Sequence, residues 1–318
     1  MNKKITAFIC IAVALLVGIS VKIYGVSENI TLDEIQNSAT RQNREKIAQT
    51  VLEDTGFQDR YTASEAENII FEFANVSNVT PTEKKDVIIS VSFGPKDSIL
   101  AVYTPIDGNQ YQFVGSLGQF FDILDINTLP IPDKDYEMIL IRERADQRIG
   151  AFEDSTFLKG YLWDGEKFNL VLNVPSRIKT SWNNNLLDGK KEEFPWIRIN
   201  EETDISQVSE PTVGFNLVHY QNYQRSTDNT SENIPLDDTF HTVSERVVPE
   251  KIVWSNDWQR FIIKEGTEKS TGQKVAILED LDNSPYALYE GYLNVGDRYR
   301  ILREDGSQDI VLKSQIDT

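Results

Sequence analysis

Between residues 86 and 175 the chain repeats one kind of unit: a short run of β-branched and aromatic residues closed by Gly, Pro, Asp or Asn. The runs read DVIISVSFG, SILAVYTPIDG, QYQFVG, FFDILDINTL, YEMILIRER, STFLKGYLWDG and KFNLVLNV. Branched and aromatic side chains suit a pleated surface, and the intervening residues suit tight turns, so this stretch predicts successive antiparallel strands. Val87, Ile89 and Val91 alternate with Ile88, Ser90 and Ser92, as in a strand packed on one face. Met138-Ile139-Leu140-Ile141 is continuously apolar and predicts an inner strand. Asp107-Gly108 and Asp164-Gly165 sit where two-residue hairpin turns are expected, the second between Thr156–Trp163 and Phe168–Val174.

YEMILIRER, an acidic loop and FLKGYLWDGEKFNLVL together resemble one blade of the FG-GAP or integrin-type β-propellers, over residues 119–175. The resemblance implies blades of four short strands and a role in extracellular adhesion or ligand recognition. Some members hold calcium in Asp-rich loops. Here no Asp-x-Asp-x-Asp-Gly loop is present, so no calcium ligand is carried over. A truncated propeller and a β-sandwich both satisfy the strand pattern.

The N-terminus reads as an address. Lys3 and Lys4 precede an uncharged run from Ile5 to Val21, about 17 residues, at the short end for a spanning helix and long for a signal-peptide core. Residues 1–25 are therefore a membrane anchor or a signal segment. The two lysines keep the N-terminus inside. The remainder is expected outside the cytoplasm: a single-pass cell-membrane protein, or a secreted one if the segment is cleaved. Cys10 lies in this run and is the sole cysteine, so the rest of the chain forms no disulfide, which suits a bacterial surface protein.

Residues 26–60 are expected to form a helical stalk, with a capping box at Thr31 and Glu34 and a stop at Gly56. Its apolar face is sparse, so it either stands free or packs only at its C-terminal end. Residues 61–221 are assigned to a helix plus antiparallel β domain. The helix is expected over 62–73, where Ala66, Ile69, Ile70 and Phe73 recur at helical spacing behind a capping box from Thr62 to Glu65. Phe194 to Ile199 is expected as an edge strand because of Pro195, and the polar stretch 201–211 as no strand. Residues 222–240 read as a mobile linker, and 241–318 as a small β module that includes a strand from Tyr286 to Leu293.

Chemistry is less legible. A net charge of -18 with no basic stripe excludes a nucleic-acid partner. The two histidines, His219 and His241, are far apart in sequence and read as surface or sheet-edge residues, so no metal site is expected. Ser176-x-x-Lys179 lacks the companion motifs and the helix that a penicillin-binding serine needs. No phosphate-cradling loop is present, and no cofactor is expected. Asp146, Glu153 and Asp154, grouped with Trp163, are the best candidates for paired carboxylates. Tyr161, Trp163 and Trp182 either fill β cores or, beside Asp146 and Asp154, form a recognition face for a glycan or peptide. The expectation is a mainly β, non-catalytic binding, adhesion or scaffolding protein of a bacterial cell surface. Its partner is a cell-wall glycan or a surface protein. The alternative is an extracytoplasmic hydrolase that uses carboxylates on a glycan.

Overall fold

The computed structural model describes residues 29–73, 78–82, 84–94, 96–107, 109–148, 151–185, 195–209, 212–228, 233–289 and 296–318. The anchor or signal segment 1–25 lies outside them. No helix of the described residues is long and apolar enough to cross a membrane.

The chain is mainly β, as expected, and is built from three antiparallel, partly curled sheets. The first contains β1 (Ile30–Thr31), β2 (Asn68–Phe73), β3 (Val87–Ser92), β4 (Ser98–Asp107) and β5 (Gln110–Phe120), in the order β1-β5-β4-β3-β2. The second contains β6 (Asp122–Pro130), β7 (Glu137–Arg148), β8 (Phe152–Trp163), β9 (Phe168–Asn183), β10 (Trp196–Val208), β11 (Gly214–Ser226), β12 (Phe240–Ser255) and β13 (Arg260–Ile262), and its spatial order is its sequence order. The third contains β14 (Lys264–Glu268), β15 (Lys274–Asp280), β16 (Arg298–Arg303), β17 (Gln308–Leu312) and β18 (Ile316–Asp317), in the order β17-β16-β15-β14-β18.

Two helices precede the sheets, α1 (Leu32–Gln36) and α2 (Arg41–Thr55). The Thr31–Glu34 capping box forms, and Gly56 ends α2 in the left-handed conformation. Of the two expectations for the stalk helix, packing through its C-terminal half is the one seen: α2 buries Ile47, Ala48, Val51 and Leu52 against Val87, Ile89, Ile99 and Tyr103 of the first sheet. Each large apolar side chain so covered stabilises the fold by about 1.5–3 kcal/mol relative to exposure. The opposite face of that sheet, with Ile88, Leu100 and Val102, packs on Ile123, Ile126, Ile139 and Ile141 of the second.

This two-sided burial explains the helix expected at 62–73. Thr62 and Glu65 do form a capping box, but only around the single turn Ala63–Glu65. The chain then enters β2, where Ile69 and Phe71 meet one core and Ile70 the other. A strand covered on both faces loses its alternation and mimics a helical run.

Other corrections follow the same logic. β10 is an interior strand, because Pro195 precedes it and leaves its ladder intact. It continues through the polar stretch as far as Val208, with Glu202, Asp204 and Ser206 turned to solvent. Of residues 222–240, read as a linker, Asn222–Ser226 belong to β11 and Phe240 opens β12, and those strands pair from Gly214 with Val253 to Ser226 with Phe240. The passage into the third sheet falls at Ile263. Pro285–Leu288 is a 3-10 turn where a strand was expected, and 290–295 lie outside the described residues. The Asp164–Gly165 hairpin forms as read: Asp164 Oδ1 accepts the amides of Glu166 and Lys167, and Gly165 takes φ 109°.

Candidate functional site

The concave face of the second sheet is where its strands carry chemistry. Odd residues of β11 point inward: Phe215, Leu217, His219, Gln221 and Tyr223. Beside them stand Glu201 of β10 and, from β12, Arg246 and Glu250. The third sheet and the turn 281–286 face this surface, and the cleft between them has a volume of about 640 Å³. Its walls are largely apolar, with Leu172, Leu217, Ile252 and Phe261 on one side and Leu278 and Leu281 on the other.

One end of the cleft is polar. Glu201 and His219 are both buried, and Glu201 Oε1 lies 3.3 Å from His219 Nδ1, a distance at which the Nδ1–H tautomer donates to the carboxylate. Thr203 Oγ1 lies 3.0 Å from the same ring nitrogen. His219 Nε2 makes no hydrogen bond to the described residues. Gln221 Nε2 donates to Glu201 Oε2 and to the backbone carbonyl of Asn283, the latter at 2.6 Å. Gln221 Oε1 in turn accepts from Arg246 Nε at 2.6 Å, and Arg246 Nη2 donates to the Ser284 carbonyl at 2.7 Å. Asn283 Nδ2 donates to Glu250 Oε2 at 3.0 Å. Burial raises the Glu250 carboxyl above its usual range, despite that bond and the proximity of His219. The result is a satisfied polar network with a weak acid and an oriented imidazole at its edge.

The aromatic residues singled out from sequence are packed. Tyr161 and Trp163 belong to the core between the first two sheets, where Tyr161 meets Phe120 edge-on. Burial raises the Tyr161 phenol well above its ordinary value. Trp182 is 4% exposed, on Tyr223 and Tyr289. Trp163 and the acids are not brought together, since they occupy opposite ends of β8. Asp146 and Asp154 do meet, as directly opposed residues of β7 and β8. They line a second hollow of about 280 Å³ with Arg144, Glu153, Lys179, Arg198 and Asp237. Asp154 accepts from Arg144 Nε at 2.8 Å, and that bond holds its carboxyl below the usual range. Asp146 lies 3.4 Å from Lys96. A carboxylate held by Arg144 as Asp154 is makes a poor proton donor.

The expectation for His219 is corrected: it is buried on an interior strand because β12 covers the edge that β11 would otherwise present. Its companions Glu201, Gln221 and Glu250 carry no sequence motif. The available signal was parity, since His219 and Gln221 interrupt the otherwise apolar series 215, 217 and 223. Among the described residues, no three His, Cys, Asp or Glu side chains converge to hold a metal ion. Comparison with protein-family models, with curated proteins and with solved structures found no match.

Proposed function

We propose that this chain is a non-catalytic binding protein of a bacterial cell surface, and that its ligand seat is the cleft between the second and third sheets. The observation that carries the reading is the lining of that cleft. An apolar wall with a few convergent, hydrogen-bonded polar groups, in a volume of several hundred Å³, is the usual make-up of a small-ligand site. The uncharged run behind Lys3 and Lys4 supports a membrane-anchored or exported location. The likeness of β6–β9 to a propeller blade supports recognition outside the cytoplasm, with a cell-wall glycan or a surface protein as partner. The test is thermal melting of the full-length chain with soluble wall fragments, for the wild type and for Leu170→Trp. Leu170 lines the cleft and is 38% exposed, so the larger ring obstructs the seat with little effect on folding. The expected result is a midpoint raised by the fragments in the wild type and unmoved in the variant. Equal shifts in both proteins move the ligand elsewhere.

A second reading has one observation in its favour. Glu250, whose carboxyl burial shifts above its usual range, and His219, oriented by Glu201, stand in one cleft as candidates for an acid and a base. A hydrolase of this kind releases reducing ends from the same wall fragments, and Glu250→Gln abolishes the release while binding survives. Absence of release by the wild type removes this reading.

A further inference from the structure

The cleft holds a cation that no carboxylate of the described residues pairs. Two arginines line it, Arg260 of β13 and Arg300 of β16. Arg300 is committed, with its Nε 2.9 Å from Glu279 Oε2. Arg246, behind the polar end, is committed to Gln221 and Ser284. Arg260 is half-buried and makes a single side-chain hydrogen bond, from Nη2 to the backbone carbonyl of Leu170 at 2.7 Å. No carboxylate of the described residues pairs with it. None of its nitrogens is both fully buried and unbonded, so the remaining donors keep some exposure, and the residue lines the cleft. A guanidinium has five N–H donors in a planar fork that matches a carboxylate in bidentate fashion. Taking such a charge partly out of water without a counter-charge costs stability, and an arriving anion removes that cost. Its neighbours Phe261 and Leu170 supply apolar surface for whatever carries the anion.

We infer that Arg260 is the carboxylate seat of the cleft, and that the ligand bears a carboxylate with an apolar portion lying along Leu172, Leu217, Ile252 and Phe261. This rests on the cleft being the ligand site. Two measurements separate its failure from failure of that reading. In the first, sodium acetate is titrated into the full-length chain labelled with ¹⁵N-arginine, against sodium chloride at equal ionic strength. The Arg260 Nε–H resonance, identified by its disappearance in Arg260→Gln, is expected to move saturably with acetate alone. In the second, soluble wall fragments are compared with the same fragments after amidation of their carboxyl groups. Native fragments are expected to bind the wild type at least 10-fold tighter than amidated ones. Arg260→Gln erases the difference, and Arg260→Lys, which keeps the charge but not the fork, retains part of it. An Arg260 resonance that acetate does not move overturns the inference whatever the fragments do. A resonance that moves, with neither fragment binding, leaves the carboxylate seat standing and removes wall fragments as the ligand. Native and amidated fragments binding alike overturns the seat and keeps the cleft.

Discussion

Gln221 reaches the backbone carbonyl of Asn283 across 2.6 Å, and with that bond β11 is tied to the turn that roofs the cleft. The same amide group serves Glu201 and receives Arg246, so one uncharged side chain joins an acid, a guanidinium and a peptide group from three separate segments. The roof over the cleft is thus held both by these hydrogen bonds and by Tyr286, Leu288 and Tyr289 packed on Trp182, Ile197, Ile199 and Tyr223.

Replacing Gln221 by Leu leaves Glu201 Oε2 and Arg246 Nε buried with a partner removed. The expected loss is about 3 kcal/mol, read as a lower denaturation midpoint. Limited proteolysis is expected to cut first near Asn283, because the roof loses its polar attachment there while Tyr286 and Tyr289 stay packed on the sheet.

Glu250 makes stability depend on pH with a definite sign. Its carboxyl binds a proton more tightly folded than unfolded, because burial disfavours the anion. Its contribution is therefore fully present below the ordinary carboxylate range and is lost as pH rises through the raised value. Glu250→Gln is expected to match the wild type at about pH 4 and to be the more stable of the two at about pH 8. Melting curves at the two pH values check this.

Gly160 marks the tightest point of the core in β8. A Cβ there would stand 2.6 Å from Met138 Sδ and 2.9 Å from Leu172 Cβ. Met138 is flexible and can move, but Leu172 is fixed by its strand. Gly160→Ala is expected to cost about 1–3 kcal/mol in chemical denaturation.

Asp86 is fully buried, and its Oδ2 accepts from the amides of Val79 and Thr80 and from the Thr80 hydroxyl. Asp86→Ala orphans all three donors. The expected cost is about 3 kcal/mol, with faster hydrogen exchange at the Val79 and Thr80 amides than at the centre of β3.

What could be read from sequence was what is local. The Asp164–Gly165 hairpin is encoded by four adjacent residues and was legible. So were the capping boxes at Thr31 and Thr62, although the second closes one turn and no more. Asn68–Phe73 was misread because its surroundings on both faces come from α2 and the second sheet, neither of which is signalled nearby. The cleft was illegible for a related reason. Glu201, His219 and Glu250 belong to three strands, and only the register of Thr203 with His219 and of Leu217 with Glu250 brings them onto one surface. Arg260 was passed over because an arginine in a short strand is ordinary until the described carboxylates around it are seen to be engaged elsewhere.

The second sheet runs from β6 to β13 without one crossover, and this bears on how the chain acquires its shape. Every pairing in it closes a loop to the preceding strand, so the sheet can zip in the order of synthesis and needs no distant segment to begin. Two pairings elsewhere lack that advantage: Ile30 waits for Tyr111, and Thr267 waits for Asp317. The two ends of the described chain are therefore its last pieces to lock, and they hold the first and third sheets shut like clasps on a ribbon already folded between them.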